Sequence, residues 1–280
     1  MPAGIRSTLT GLHLKPLEET AMTDTLRHAP GTFCWVDLAT TNLGAAKSFY
    51  TAVFGWAARD LPTELGPPYT TFARDTQGVC GAYSLGPGQG ERPFWQSYVC
   101  VADLDAAVAR AQSLGAKVPM PPMDVMEEGR LAVIQDPTGA HLGLWQPRRH
   151  QGAALWNRPG APSWNELQSR DLAAAGAFYQ GLFGWTLKPF EGFMDGAYKI
   201  FVHDGREVGG MLAIGEDWGP VPPNWTIYFG VPDCDAAVAK AEWLGAKVVA
   251  PTMEVAGVGR FAHLQDPQGA VFAVIAQLKP

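Results

Sequence analysis

The sequence predicts an α+β fold in which four β-α-β-β-β modules pair into two tandem domains. Three observations carry that expectation. The chain has 280 residues, more than one hydrophobic core usually serves. It repeats itself at domain scale. Inside each copy, a strand followed by an amphipathic helix occurs twice.

The repeat is read directly. WVDLATTNLGAAKSFYTAVFGW, from Trp35 to Trp56, recurs as WNELQSRDLAAAGAFYQGLFGW, from Trp164 to Trp185. DLDAAVARAQSLGAKV, starting at Asp103, recurs as DCDAAVAKAEWLGAKV, starting at Asp233. GRLAVIQDPTGA, from Gly129, recurs as GRFAHLQDPQGA, from Gly259. All three share an offset of about 130 residues, so the unit is a domain and not a short solenoid repeat. The expected division is a flexible tail over 1–30, a first domain over 31–147, a linker over 148–161 and a second domain over 162–280. The linker's Gly, Pro and basic residues suit an exposed segment.

Element by element, residues 33–40 read as a strand. A helix follows over Leu43–Phe54, whose apolar Leu43, Ala46, Phe49, Tyr50 and Val53 keep helical spacing. The glycine of FGW ends it. Tyr69–Ala73 and Gly78–Leu85 read as strands separated by the turn RDTQG. Gln96–Val101 starts the next module. An Ala-rich helix then runs from a cap at Asp103 to Leu114-Gly115. Two strands flank the DPTG turn, where Gly139 supplies the permissive backbone.

Composition excludes several function classes. Hydrophobic residues make up 47% and charged residues 17%, which suits a packed core and not a disordered chain. The net charge of −6, with no Lys/Arg run, argues against nucleic acid as a partner. No apolar run is long enough for a membrane span, and the first thirty residues lack a signal-peptide core. Met22 is an alternative start. A cytoplasmic location is expected. Cys34, Cys80, Cys100 and Cys234 show no zinc spacing, and their apolar neighbours suit buried, reduced thiols. No GxSxG or Cys/His nucleophile pattern is present, and GPGQG at Gly86–Gly90 lacks the lysine of a phosphate loop.

The order strand, D/N-L-x-x-A-x-x-F-Y-x-x-x-F-G-W, strands, helix ending L-G-A, then G-R-x-x-x-x-Q-D-P-x-G-A, resembles the vicinal-oxygen-chelate superfamily. That group holds glyoxalases, bleomycin-resistance proteins and extradiol dioxygenases. The resemblance spans Thr32 to Leu278. WVDL, WNEL and the GRF…QDPQGA ending look like a tandem-domain actinobacterial subgroup that includes a culture-filtrate antigen and proteins labelled glyoxalase or hydroxylase. The resemblance implies that two modules curve into a half-open barrel with a ligand cup inside. It also implies a divalent metal in many members, held by His, Gln or Glu from three or four strands at about 2.0–2.6 Å.

Counting from the motif anchors places the implied ligand positions at Trp35 and Trp164, Ser97 and Ile227, and Gly143 and Ala273. A fourth falls near Ala82–Tyr83 and Gly210–Met211. None offers a carboxylate or imidazole, so no metal and no cofactor is expected. Of six histidines, His13 and His28 fall in the tail, His150 in the linker and His203 in a turn. His141 and His263 fall on strands, and His141 shares the parity of Gly143.

Strand alternation nominates the cup lining. Trp35 and Asp37 would share a face, as would Trp164 and Glu166. By the same count Trp95 and Ser97 line the first cup, Trp225 and Phe229 the second, and Trp145 joins His141 on the last strand. A slip of one residue would reverse this. Two readings stay open. The indoles stack on a flat ligand while the carboxylate pairs with its cation or hydroxyl, or the tryptophans plug a closed core.

The leading expectation is a metal-free binder of an aromatic or hydrophobic small molecule. The alternative is a glyoxalase-like lyase or isomerase, or a dioxygenase or hydroxylase, working through non-standard residues such as Asp37 and Glu166. A third is a scaffolding or signalling protein with vestigial cups. Bound metal would favour the second, and filled cups the third. A monomer or a homodimer fits a chain that carries both copies.

Overall fold

The computed structural model describes residues 28–63, 67–86, 92–191, 193 and 197–277. The tail before His28 (with His13 and Met22), most of GPGQG and the last three residues lie outside them.

The first copy runs β1 (Phe33–Thr40), α1 (Leu43–Phe54), β2 (Ala57–Leu61), β3 (Tyr69–Arg74), β4 (Gln77–Ser84), β5 (Phe94–Cys100), α2 (Leu104–Ser113), β6 (Lys117–Val125), β7 (Gly129–Gln135) and β8 (His141–Pro147). The second repeats it as β9 (Pro162–Ser169), α3 (Leu172–Phe183), β10 (Thr186–Pro189), β11 (Lys199–His203), β12 (Arg206–Ala213), β13 (Asn224–Gly230), α4 (Cys234–Trp243), β14 (Lys247–Val255), β15 (Gly259–Gln265) and β16 (Val271–Gln277). Each helix starts where an Asn or Asp side chain accepts an orphan backbone N–H three residues on. The caps are Asn42, Asp103, Asp171 and Asp233. Gly55 and Gly184, both at φ 71°, close α1 and α3 in the left-handed region.

Each copy is one open, mixed, eight-stranded sheet, ordered β2-β3-β4-β1-β5-β8-β7-β6 and β10-β11-β12-β9-β13-β16-β15-β14. The fold class is therefore α+β, and the sheets are not closed barrels. The helices lie on one face of each sheet, and those two faces meet. One core joins α1 and Trp56 of the first copy to Ile227, Phe229, Val238 and Phe272 of the second. Its counterpart joins Val99, Leu104 and Leu142 to Phe178, Tyr179, Trp185 and Trp225. Burying each such side chain stabilises the fold by roughly 1.5–3 kcal/mol, so neither copy keeps its core intact alone. The opposite faces, which carry the cups, point outward.

The repeated motifs explain one another across this boundary. Asp266 Oδ1 accepts the N–H groups of Gln268, Gly269 and Ala270 in its own turn. Its Oδ2 accepts the Tyr50 hydroxyl of the other copy at 2.9 Å. Asp136 repeats this with its own turn and with Tyr179, also at 2.9 Å. The FY tyrosine and the DPxG aspartate are thus two halves of one contact.

The linker departs from the expected exposed segment. Arg148 and Arg149 are exposed, but Gly152 and Ala153 are buried. The Ala153 N–H donates to Cys34 O and that of Ala154 to Gly78 O. His28, at the end of the expected tail, reaches Ala153 O through Nε2 at 2.9 Å. Those bonds satisfy a backbone that would otherwise be buried without partners.

Candidate functional site

Pairing of β1 with β5 decides which side chains face the first cup. Trp35 lies opposite Tyr98, and Asp37 opposite Gln96. In the second copy Trp164 lies opposite Tyr228, and Glu166 opposite Thr226. Trp35, Asp37, Trp164 and Glu166 therefore sit on the cup faces, and Trp145 packs with Trp35 and Tyr98.

Five expected residues do not. Trp95 and Trp225 turn to the helix side, where each indole N–H donates to an FY tyrosine, Tyr50 at 3.0 Å and Tyr179 at 2.8 Å. Ser97 donates to Asn165 Oδ1 at 2.6 Å between the copies. Phe229 packs tilted or edge-on among Phe54, Trp56 and Trp95. The physical reason is that both faces of β5 and β13 are buried, one by the cup and one by the other copy. Polarity does not alternate there, and parity counted from a distant anchor slips by one. The cup residues are Tyr98 and Tyr228, not Ser97 and Ile227. His141 is exposed at the start of β8 and joins neither cup cluster.

The first cup is filled. Trp35, Tyr98, Cys34, Cys100 and Trp145 form its cluster, closed by Ala153 and Trp156 of the linker. The His150 ring stands edge-on to Trp35 at 4.4 Å, and the Trp145 indole donates to His150 O at 3.0 Å. Burial lowers the His150 pKa to about 4, so the ring is neutral. Asp37 Oδ1 accepts from the Trp35 indole at 2.9 Å and the Tyr69 hydroxyl at 2.6 Å. Burial pushes its carboxyl above the usual range, and the Tyr69, Trp35 and Tyr98 hydrogen bonds pull it back.

The second cup is open. A cavity of about 400 Å³ is walled by Trp164, Phe190, Phe193, Tyr198, Tyr228 and Phe261, with Glu166 in its lining. Residues from both ends of the sheet, Ile200 on β11 and Val255 on β14, line this one space, so the strands wrap around it. The Trp164 indole donates to the Tyr198 hydroxyl at 2.9 Å. Glu166 Oε1 accepts from Tyr228 at 3.0 Å and from Gln168 Nε2 at 3.2 Å. Burial raises the Glu166 carboxyl, opposed by hydrogen bonds from Gln168, Tyr228 and Tyr198. One difference from the first copy bears on the space: Ile275 stands where Trp145 stands.

The second cup also holds a residue the repeat marks as unusual. His263 occupies the position of Val133. Its Nε2 lies 3.0 Å from the Tyr228 hydroxyl and 4.0 Å from Glu166 Oε1. Burial holds its pKa to about 4. Tyr69, Tyr98, Tyr198, Tyr228 and His263 escaped sequence reasoning. The shared Tyr69/Tyr198 offset and the Val133/His263 mismatch were the available signals.

The donor set does not fit a divalent cation. At the implied ligand positions stand Trp35, Tyr98 and Gly143, and Trp164, Tyr228 and Ala273. Tryptophan has no lone pair to give, and the Asp37 and Glu166 oxygens already receive hydrogens from neighbours. Among the described residues no three His, Cys, Asp or Glu converge as a metal site. The four cysteines are buried and free, and no helix among the described residues is long and apolar enough to cross a membrane.

Comparison with known proteins agrees with this fold. Residues 32–144 match the model of the glyoxalase/bleomycin resistance protein/dioxygenase superfamily, and residues 165–275 match a glyoxalase-like domain. "Putative glyoxylase CFP32" of Mycobacterium tuberculosis (strain CDC 1551 / Oshkosh) is 41% identical over 88% of this chain and 94% of its own. Anthracycline biosynthesis protein DnrV of Streptomyces peucetius is 35% identical over 89% and 94%. In fold alone, the Mn(II)-bound glyoxalase from Novosphingobium aromaticivorans superposes with a TM-score of 0.63 at 14% identity, covering 91% of this chain and 84% of that one. The 2,3-dioxygenase LapB from Pseudomonas sp. KL28 gives 0.61 at 15%, covering 93% and 95%. The chain belongs to the glyoxalase/bleomycin resistance protein/dioxygenase superfamily, as a member with two tandem domains.

Proposed function

We propose that this protein binds a flat aromatic or hydrophobic small molecule, without a metal, in its second cup. The observation that carries the reading is the cavity of about 400 Å³ faced by Trp164, Phe190, Phe193, Tyr198, Tyr228 and Phe261. That volume lies within the range of small-molecule sites, which are mostly apolar with a few placed polar groups. Aromatic rings engage a planar ligand by offset or edge-on contact. Glu166 and the two tyrosine hydroxyls supply the polar groups, able to fix a hydroxyl, ketone or amine. Two relatives are named for anthracycline biosynthesis, which favours a fused-ring ligand over a small aldehyde adduct.

In this reading the first cup is structural. Its indoles and the linker occupy the space a ligand would need, which supports a stoichiometry of one ligand per chain. The test is calorimetric titration with a fused-ring aromatic ketone, with and without a chelator. One site per chain, with affinity unchanged by the chelator, is expected. Absence of binding overturns the reading, and binding that a chelator abolishes overturns its metal-free part.

A further inference from the structure

The polar hydrogens around the second cup are already spent inside the protein. Among the described lining residues, the neutral side chains that carry such hydrogens are Trp164, Tyr198, Tyr228 and Gln277. The Trp164 indole donates to the Tyr198 hydroxyl at 2.9 Å. Tyr198 in turn gives its hydrogen to Glu166. Tyr228 has one hydrogen and lies 3.0 Å from both Glu166 Oε1 and His263 Nε2, so either partner consumes it. Gln277 Nε2 donates to Asn157 Oδ1 at 2.9 Å and to Ser163 Oγ at 3.1 Å. The side chains keep acceptors in reserve: the second lone pair of the Tyr198 oxygen and the carboxylates of Glu166 and Glu207. A ketone only accepts, so these side chains offer it no partner. A hydroxyl or an ammonium donates.

Charge decides between those two. Two carboxylates line the cavity, and no Lys, Arg or His is among the described residues that line it. Glu207 sits in an exposed pair with Lys188 at 2.6 Å, which solvent screens. Glu166 is only 5% exposed and is held by hydroxyls and an amide. The His263 ring, 4.0 Å away, is kept neutral by burial. A buried carboxylate without a counter-charge is costly. Rings surround it: Phe193 stands edge-on to Tyr198 at 5.8 Å and to Phe261 at 6.5 Å, and Tyr228 edge-on to Phe261 at 5.9 Å. Aromatic faces attract cations, tryptophan most strongly.

We infer that the second cup takes a flat aromatic amine in its protonated form, with the ammonium against Glu166 inside the wall of rings. This rests on the reading that the second cup binds a flat aromatic molecule, and it narrows the ligand's polar group to a cation. The ammonium gives up water on entering, and the carboxylate, the Tyr198 oxygen and the ring faces replace it. A ketone on the same ring framework is held by ring contacts alone and binds more weakly.

Three probes on one framework test this. 1-Aminotetralin is protonated at pH 7, 1-tetralol is a neutral donor and 1-tetralone only accepts. Calorimetric titration of the intact chain is expected to show the amine binding about tenfold or more tighter than the ketone, with the alcohol between them. Glu166→Gln keeps the shape and removes the charge. It is expected to bring the amine to the level of the alcohol while 1-tetralone binding stays as in wild type, which shows that the cup is intact. The wild-type series carries the test if that variant does not fold. A ketone that binds as tightly as the amine, an amine no tighter than the alcohol, or an amine advantage fully kept by Glu166→Gln overturns the cation reading and leaves the binding reading intact. Failure of all three probes to bind overturns both for this ligand class.

Discussion

The Tyr50 hydroxyl donates to Asp266 Oδ2 at 2.9 Å across the boundary between the two copies. Both groups are buried, and the Trp95 indole donates to the same hydroxyl. Burial raises the Asp266 carboxyl, while the Tyr50 bond and the turn amides lower it. Tyr50→Phe removes the donor and leaves a buried acceptor and an indole N–H unpaired. A loss of about 1–3 kcal/mol is expected. Tyr179→Phe should cost a similar amount through Asp136, and calorimetric melting of the two variants checks both.

Glycine sets the floor of each cup. A Cβ on Gly210 would overlap the Tyr198 hydroxyl, and one on Gly81 would overlap Tyr69 and Asp37. Gly210→Ala is expected to displace Tyr198 from Trp164 and weaken ligand binding by tenfold or more, about 1.4 kcal/mol. Gly81→Ala should leave binding unchanged and lower the melting temperature instead. Calorimetric titration and melting of both variants separate the two outcomes.

His263 gives the pH response a defined sign. Its folded pKa is about 4, against about 6.5 for an unfolded histidine. The unfolded chain therefore binds the extra proton first. The stability contributed by the neutral ring is present above pH 6.5 and is lost as pH falls toward 4, by up to about 1.4 kcal/mol per pH unit. Burial raises Asp37, Glu166 and Asp266, and their contribution runs the other way, falling as pH rises through their window. The difference between wild type and His263→Val isolates the histidine. Denaturant unfolding at pH 7 and pH 4.5 is expected to show the variant losing less stability on acidification.

The module order and the helix bounds at 43–54 were legible because 3.6-residue spacing, Asp or Asn caps and terminal glycines are local signals. So was the face of β1 and β9, since Trp35/Asp37 and Trp164/Glu166 repeat as pairs. The face of β5 and β13 was not, because one face packs on the other copy and both faces are buried. Asn165, which a slipped register would have turned into a cup, instead holds Ser97 between the copies. The closure of the first cup was equally hidden, since it depends on a linker folding back over Trp35 and Trp145. His263 shows the value of comparing repeats position by position. Its chemistry comes from Tyr228 on another strand, which no local pattern reveals.

Ile275 stands where the first copy has Trp145, and it lines the open cavity. Calorimetric titration of wild type, Ile275→Trp and Trp145→Phe with one fused-ring aromatic ketone tests the central claim most directly. The account predicts one site per chain in wild type, loss of that site in Ile275→Trp with folding retained, and no change in Trp145→Phe. Undiminished binding by Ile275→Trp, or a wild-type site that Trp145→Phe abolishes, would contradict it.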